Sequence, residues 1–329
     1  MVSGIAGSLR SFVWRIGPAL DLVLWPFTLL SAVFLLLLRK AGIGHLPFSR
    51  KVLFGVGVFP ITNHYYDPMF NPRRLRDMAG HERIVPGIDF NAQEQLTALH
   101  RFRYNSELSA FPREPQRAGL QYYYRNGQFG PGDAEYYYNM IRHYKPRKIV
   151  EIGAGYSTLM AVNALAANGR EAASGPGELV CVEPFERPWL KRLPITLIRQ
   201  RVEEVDKKLF RELEADDILF IDSSHVIRPR GDVLCEVLEM LPILRPGVIV
   251  HVHDVFTPRD YPAHFRMHTE VSFFNEQYLI EAFLSYNSQY KVVGALNWLY
   301  HNHRGELLGK CPLLTEEPSE PGSLWMMRV

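Results

Sequence analysis

The sequence predicts an α/β protein with a doubly wound, mostly parallel sheet of seven strands, the last of them antiparallel. Apolar runs of strand length alternate with helical periodicity from Asp133 onward, a pattern typical of a parallel sheet covered on both faces. A glycine turn follows the first run, and the last two runs have no helical pattern between them. We expect strands over Lys148–Ile152, Leu179–Val182, Ile195–Ile198, Ile218–Ile221, Val248–Val252, Val292–Leu299 and Leu324–Val329.

Helical segments fill the gaps between these strands. Asp133 is a suitable N-cap for the first helix, which the Lys145-Pro146 pair would end near Tyr144. A further helix, Ala92 to Phe102, precedes the α/β pattern. We expect the remaining helices over Ser157–Ala167, Asp232–Leu244 and Glu276–Leu284.

The length, net charge and cysteine content limit the class of protein to which this sequence can belong. The 329 residues suit one α/β domain of about 200 residues with a long extension. The formal net charge is only +2 and there is no basic stripe, which argues against nucleic acid as the main partner. The three cysteines have no paired spacing, which indicates reduced thiols in a cytoplasmic protein rather than disulfides or a zinc site.

Near the N-terminus, Leu22–Leu38 is a run of 17 residues without a charge. This reaches the lower end of the range of about 17–25 residues with which a helix spans a bilayer. A signal peptide and a buried core helix are the alternatives, but no small-residue cleavage site follows and the run has no polar face. Because Lys and Arg are more numerous after the run than before it, we expect a membrane anchor with the bulk of the protein in the cytoplasm.

We expect three regions: a hydrophobic membrane anchor (1–45), an N-terminal extension (46–132) and an α/β domain (133–329). In the extension, Val52–Ile61 is a second apolar stretch, too short to span a membrane, that could lie at the interface or form a strand. Loops rich in Tyr and His follow it. They could pack against the main domain or act as a lid over a ligand.

The glycine turn Gly153-Ala154-Gly155 lies between the first strand and a helix. Glycines there let the backbone approach a ligand closely at the carboxyl edge of the sheet. A dinucleotide site needs a third glycine where Thr158 stands, and a P-loop needs a Gly-Lys-Ser/Thr sequence that is absent. Glu151 beneath the turn would repel phosphates but could hold an ammonium group. Glu183 after the second strand could accept hydrogen bonds from ribose hydroxyls; singly, either acid could be a capping or surface carboxylate.

Acids and histidines gather at the ends of two further strands. Asp222 ends the fourth strand with His225 three residues on, and His251, His253 and Asp254 end the fifth. In a right-handed β-α-β unit these ends are neighbours, about 4.8 Å apart per strand step, beside the crevice where open α/β sheets bind ligands. His251 could be a core histidine. Asp222, His225 and Asp254 together indicate a functional site.

The segments EIGAGYST, CVEP, DDILFIDSSH and VIVHVHDVF, with the closing LWMMRV, resemble class I S-adenosylmethionine-dependent methyltransferases over about residues 133–329. The resemblance implies a Rossmann-like fold and S-adenosylmethionine as cofactor. Ser157 stands where that family has its third glycine. The implied cofactor-binding residues are Glu151, Gly153 and Gly155 for the methionine part, Glu183 for the ribose and the Gln200–Glu203 region for the adenine, with Ser157 also expected to bind the cofactor.

The strand-end cluster is similar to that of metal-dependent O-methyltransferases, including those that act on macrolide sugars. This similarity implies that Asp222 and Asp254 bind a divalent cation, magnesium or manganese, and that His225 is the general base. His253 stands where those enzymes have a carboxylate. Magnesium prefers oxygen ligands, whereas a histidine favours manganese, iron or zinc. Without a metal, His253 would orient the acceptor.

We therefore expect a methyltransferase acting on a hydroxyl, with a sugar or membrane-linked glycan favoured as the small-molecule acceptor. A sulfonium methyl group is already electrophilic, so such an enzyme must align the acceptor and remove its proton. One alternative is a nicotinamide-dependent oxidoreductase, which Thr158 disfavours. The other is a non-catalytic, membrane-associated binding or scaffold protein.

Overall fold

The chain divides into two compact units, Met1–Leu75 and Arg76–Val329. In its described part, the first unit is helical and the second contains the sheet. The computed structural model describes residues 2–69, 81–116, 120–171, 175–185, 187–262, 273–316 and 320–329, with the backbone alone for residues 2–16.

The N-terminal unit is dominated by helix α1, Val2–Lys40, which ends in the basic pair Arg39 and Lys40. Among the described residues, its segment Gly17–Lys40 is the one long and apolar enough to cross a membrane, with a mean hydropathy of 2.1 and 0% of it buried. A turn with Gly42 in the left-handed region, at φ +83°, and a short 3₁₀ helix follow. They lead to helix α2, Pro47–Val56.

The apolar stretch Val52–Ile61 was expected either to lie at the interface or to form a strand, and the strand is wrong. Its first residues continue helix α2, which ends at Gly57 with φ +82°. The chain then returns to the end of α1, where Arg39 forms an ion pair with Asp67. The guanidinium of Arg39 also lies 5.9 Å from the centroid of the Phe59 ring.

The C-terminal unit is built on one sheet of seven strands. They are β1 Lys148–Ile152, β2 Glu178–Val182, β3 Thr196–Ile198, β4 Ile218–Ile221, β5 Ile249–Val252, β6 Tyr290–Ala295 and β7 Leu324–Arg328. Their order is β3-β2-β1-β4-β5-β7-β6. Strands β1 to β5 pair in parallel, and β7 is antiparallel to both β5 and β6. The expected doubly wound sheet with an antiparallel last strand is confirmed.

Helices cover both faces of the sheet. Ile149 and Phe220 belong to one buried apolar cluster, whereas their neighbours Val150 and Leu219 belong to the other. Because both faces are buried, the strands are mainly apolar and do not alternate between apolar and polar residues. The helices of this unit are α3 Ala92–Arg101, α4 Asn105–Ser109, α5 Asp133–Tyr144, α6 Tyr156–Glu171, α7 Lys208–Arg211, α8 Asp232–Cys235, α9 Glu276–Leu284, α10 Leu296–Asn302 and α11 Arg304–Leu308.

The part of the extension that precedes α5 contributes to the main core. Leu99, Phe102, Leu108 and Tyr122 belong to the same buried cluster as Tyr136 of α5. The rings of Phe102 and Tyr136 meet edge to face, with centroids 5.2 Å apart. Packing against the α/β domain therefore accounts for many of the apolar residues in this segment.

Two expectations about the end of the chain are wrong. The strand expected over Val292–Leu299 stops at Ala295, and helices α10 and α11 lie between β6 and β7. An apolar run has no distinguishing period, and here Leu296 and Leu299 are buried at the spacing of a helical face.

The helix expected over Asp232–Leu244 changes pitch along its length. Beyond α8 it continues as a π-helical turn, Glu236–Met240, and a 3₁₀ turn, Leu241–Ile243. Pro242 has no N–H to donate, which accounts for a break in the regular helical bonds at this end. π-Helical turns are frequent at functional sites. The apolar face nevertheless packs as expected, with Val233, Val237, Leu241 and Leu244 all buried.

Candidate active site

The glycine turn brings the ends of β1 and β4 together. Gly153 has φ +84°, and a Cβ at this position would lie 1.9 Å from the backbone oxygen of Asp222. A side chain cannot be accommodated there. Gly155 differs, because a Cβ on it would meet no described atom within 4 Å. The described residues thus leave the space above Gly155 open.

Glu151 lies beneath this turn and is completely buried. Its carboxylate accepts hydrogen bonds from the hydroxyls of Ser157, at 2.6 Å, and Thr158, at 2.7 Å, and from the Cys181 thiol at 3.3 Å. Burial raises the pKa of Glu151 to about 7, although the two hydroxyls act in the opposite direction. Glu151 and Ser157 therefore join the glycine turn to the start of α6.

Glu183 lies at the adjacent strand end and holds the loop around it. Its carboxylate accepts the backbone N–H of Ala154 at 3.2 Å and that of Phe185 at 2.6 Å. It lines a cleft of about 390 Å³ together with Gly153 and Asp222. Arg201, Val202 and Glu203, from the region expected to contact adenine, line the same cleft. An open glycine turn, an acid and this cleft fit S-adenosylmethionine.

The strand-end cluster contains four of the expected residues, Asp222, His225, His253 and Asp254. His225 Nε2 lies 3.1 Å from Asp222 Oδ1 and 3.7 Å from Asp254 Oδ2. His253 Nδ1 lies 3.3 Å from Asp222 Oδ1 and 3.6 Å from Asp254 Oδ1. Both histidines therefore face both carboxylates.

Two of these residues have unusual backbone conformations. His225 has φ +58° and Asp254 has φ +55°, in the left-handed region that side chains disfavour. Strain of this kind costs on the order of 1–3 kcal/mol and concentrates at active sites. The conformation supports a functional role for this cluster.

A buried acid that the sequence analysis did not assign to the site supports His225 from the far side. Glu276, at the start of α9, is 1% exposed, and its Oε2 lies 2.8 Å from His225 Nδ1. An acid in the first turn of a helix is ordinary, so the sequence carried no signal for this contact. Asp133 is a second addition, with Oδ2 3.8 Å from His253 Nε2. It is the first residue of α5 rather than its cap, which is Gly132.

Burial opposes charge throughout the cluster, and mutual contacts offset it. Burial raises the pKa of Asp222, but the two histidines outweigh it and hold that pKa below its usual value. Burial lowers the pKa of His225, yet Asp222 and Glu276 bring it well above the ordinary value. The pKa of His253 is raised in the same way, against burial, by Asp254 and Asp222. Burial raises the pKa of Asp254.

His251 does not join this cluster. It is completely buried, its Nε2 lies 2.8 Å from Ser323 Oγ, and its ring lies 4.5 Å from that of Trp325. Burial holds the pKa of His251 well below its ordinary value. His251 is a neutral core histidine, so two imidazoles converge at the site rather than three.

One ligand atom each from Asp222, His225 and Asp254 lie within 4.8 Å of one another, a spacing that could hold a metal ion. Two carboxylates and an imidazole suit manganese, iron or zinc better than magnesium. The carboxylate of Glu276 behind His225 resembles the support that metal-ligating histidines commonly receive. The donor set is therefore compatible with a divalent cation.

Residues of the cluster line two cavities. Asp222 lines the 390 Å³ cleft described above, whereas Asp254 and His253 line a second cavity of about 660 Å³. Asp133, Tyr124 and other residues complete the second cavity.

Known proteins share this domain. A family profile described as "Methyltransferase domain" matches residues 150–255. An uncharacterized protein of Archaeoglobus fulgidus is 32% identical over 205 residues, which cover 58% of this chain and 90% of that protein. The chain belongs to the same family as that protein, and its domain and strand order are those of the class I S-adenosylmethionine-dependent methyltransferases.

Solved structures show a weaker likeness. A putative O-methyltransferase from Klebsiella pneumoniae is 14% identical, with 70% of this chain and 89% of that chain covered and a TM-score of 0.33. The O-methyltransferase TomG from Streptomyces achromogenes, involved in tomaymycin synthesis and solved with SAM, is 16% identical, with 79% and 100% covered and a TM-score of 0.35. An O-methyltransferase from Bacillus cereus with SAH is 13% identical, with 78% and 96% covered and a TM-score of 0.34.

The protein is thus an S-adenosylmethionine-dependent methyltransferase. The nicotinamide-dependent alternative is left without support. Thr158, at the position of the missing third glycine, instead accepts the N–H of Gly155 at 3.0 Å and donates to Glu151.

Proposed function

We propose that the protein transfers a methyl group from S-adenosylmethionine to a hydroxyl of a sugar or glycan, with His225 as the general base. The observation that carries this proposal is the position of His225. Its Nδ1 is held by the buried Glu276. Its Nε2 lies 3.1 Å from Asp222 Oδ1 and 3.7 Å from Asp254 Oδ2, and these two acids line the smaller and the larger cavity respectively.

The smaller cleft would hold the cofactor. When bound, S-adenosylmethionine supplies an electrophilic methyl group on its sulfonium. The open turn at Gly155 would receive the methionine part, with Glu151 and Ser157 fixing the turn from beneath. Glu183 would accept hydrogen bonds from the ribose hydroxyls, and the Arg201–Glu203 segment would contact the adenine.

His225 in its neutral form would remove the proton of the acceptor hydroxyl, and because its pKa is raised it must first lose a proton of its own. A carboxylate that accepts from Nδ1–H fixes the ring and its tautomer, leaving Nε2 to exchange the reacting proton. Asp222 and Asp254 would hold a divalent cation, which when bound would lower the pKa of the acceptor hydroxyl. His253, in contact with both carboxylates, would orient the acceptor.

The larger cavity would hold the acceptor. Its volume of about 660 Å³ is suited to a small molecule or the end of a glycan. Asp133, Glu316 and Glu320 line it and could accept hydrogen bonds from several hydroxyls, while Tyr124 and Phe256 offer apolar surface. This lining supports a polyhydroxylated acceptor.

The Gly17–Lys40 segment of α1 would anchor the protein in a membrane, with the catalytic unit in the cytoplasm. The support is its length, its apolar composition and the basic residues that follow it. If so, full-length protein should float with vesicles and resist extraction by high salt. Recovery in the soluble fraction without detergent would contradict the anchor.

The proposed reaction is tested by identifying the atom to which the methyl group becomes bonded. Full-length protein is incubated with methyl-labelled S-adenosylmethionine and a panel of sugars and glycolipids. A methyl ether, stable to mild alkali, is expected as the product. Loss of the label in alkali would indicate a methyl ester on a carboxyl acceptor. That result, or label on a nitrogen or sulfur, would refute transfer to a hydroxyl.

A further inference from the structure

Helix α2 presents a continuous apolar row to its surroundings. Phe48, Val52 and Val56 follow one another at intervals of four residues, which places them on one face of the helix. Their exposed fractions are 86%, 62% and 72%. Arg50 and Lys51 lie on other sides of the same helix, and both are exposed. The Phe48 row is therefore an uncovered apolar face, and Phe54, which is 64% exposed, lies on the side of Arg50.

The described residues of its unit do not cover this row. Within the described part of the chain, no residue of α2 is buried. Phe54 stacks on Phe59 with ring centroids 5.3 Å apart, but that contact lies away from the Phe48 row. Contiguous exposed apolar residues of this kind mark a surface for a partner or a membrane.

The position of α2 along the chain points to the occupant. Six residues separate Lys40, the end of the apolar helix, from Pro47, the start of α2. Six residues span at most roughly 20 Å even when fully extended. A helix that starts so close to the end of a membrane-spanning segment is held near the surface of that bilayer.

The charges of this segment are of one sign. From Lys40 to Tyr66 there is no Asp or Glu, whereas Lys40, Arg50 and Lys51 are basic. Basic residues beside a spanning segment are attracted to anionic phospholipids. Tyr65 and Tyr66 follow, 91% and 84% exposed, and tyrosine is enriched at membrane–water interfaces.

We infer that α2 lies in the plane of an anionic phospholipid surface, with the Phe48 row in the acyl boundary and Arg50 and Lys51 among the headgroups. Helices of this type insert their apolar face about 5–10 Å deep. The inference rests on the proposed anchoring by α1. It adds a second contact, which keeps the segment after the anchor on the lipid surface.

Spin labels test this depth in the full-length protein, reconstituted in vesicles of phosphatidylcholine and phosphatidylglycerol. The native cysteines Cys181, Cys235 and Cys311 are buried, and unlabelled wild type serves as the background. A nitroxide is attached to Phe48→Cys or Val52→Cys, with Arg50→Cys and Lys51→Cys as matched controls on the same helix.

The expected result is a ratio of oxygen to nickel-complex collisions several-fold higher at positions 48 and 52 than at 50 and 51. In vesicles of phosphatidylcholine alone, the ratio at 48 should fall. Equal, water-like ratios at all four positions would overturn the inference, and so would protection of position 48 from both reagents, which indicates a second copy or another protein. An unchanged ratio without phosphatidylglycerol would overturn the role of anionic lipid.

Flotation of the same samples separates the two proposals. Protein that floats but has a water-exposed label at 48 keeps its anchor and loses the contact by α2. Protein that does not float overturns both the anchor and the contact.

Discussion

The two halves of the candidate active site are held together in different ways. At the glycine turn, Glu151 is buried among hydroxyls that come from the next few residues of the chain. At the ends of β4 and β5, His225 and Asp254 have strained backbones, and His225 is supported by Glu276, 51 residues further along the chain. The first region is held mainly by contacts between residues close together in the sequence, whereas the second brings together charged side chains from distant segments.

This difference has a physical consequence. A buried acid satisfied by neutral hydroxyls contributes to structure, so changing it should alter stability more than chemistry. A cluster of facing acids and imidazoles is held by the surrounding fold, so changing it should alter chemistry more than stability. Variants of residues in the two regions test that division.

The largest effect is expected at His225. His225→Gln should lower turnover by about 10²–10⁴-fold, the usual contribution of a general base, while S-adenosylmethionine affinity stays close to wild type. Steady-state kinetics and titration calorimetry measure the two quantities. His100→Gln, on the exposed side of α3, is the matched control. Full turnover in a folded His225→Gln enzyme would remove His225 from its role.

Chelation sharpens the same test. If Asp222 and Asp254 hold a cation, removing it from wild type should lower turnover, and adding back magnesium or manganese should restore the rate. If a chelator leaves turnover unchanged, the reaction does not require a metal, and the role of His225 as the base is unaffected.

A smaller effect is expected at Glu276, since it acts through His225. Glu276→Gln should lower turnover by about 10–100-fold, as the loss of groups that orient a histidine commonly does. Combined with His225→Gln, it should cost little more than His225→Gln alone, because the two residues act as a unit. Additive losses in the double variant would show that Glu276 acts elsewhere.

The sequence predicted the first region better than the second, for a reason visible in these residues. Gly153, Ser157 and Glu183 lie beside regular strands, so a local pattern places them. All seven strands were predicted because most of their residues are apolar, although the strand expected over Val292–Leu299 ends at Ala295. Glu276 was missed because its contact with His225 depends on how α9 packs. The helix at Leu296 was missed because an apolar run has the same appearance in either state.

The two glycines of the turn form a matched pair of variants. Gly153→Ala should destabilise the fold by at least about 2 kcal/mol, because it combines left-handed backbone strain with a clash against Asp222. Gly155→Ala should change stability by less than about 0.5 kcal/mol, since its Cβ meets no described atom. It should still weaken S-adenosylmethionine binding. Denaturant unfolding and calorimetry compare them, and unchanged cofactor affinity in Gly155→Ala would show that the open space is not the methionine site.

The smallest effect is the dependence of stability on pH through Glu151. Burial raises its pKa to about 7 in the folded protein, above the ordinary value of 4.5. The folded state therefore holds the proton more tightly than the unfolded state. This favours folding below about pH 4.5, and the contribution is lost as the pH rises to about 7, by at most about 1.4 kcal/mol per pH unit. Glu151→Gln cannot ionise, so its free energy of unfolding should fall less steeply over this interval.

The measurement is urea unfolding of both proteins at several pH values from 4.5 to 8. Glu135 is the matched control, because burial also raises its pKa to about 7 and it lies in α5, outside the turn. Glu135→Gln should flatten the stability curve in the same way and leave cofactor affinity unchanged, whereas Glu151→Gln should also weaken S-adenosylmethionine binding by loosening the turn. Parallel curves for wild type and Glu151→Gln would mean that the hydroxyls of Ser157 and Thr158 keep Glu151 ionised. The turn would then contain a buried charge, and the contrast between the two halves of the site would disappear.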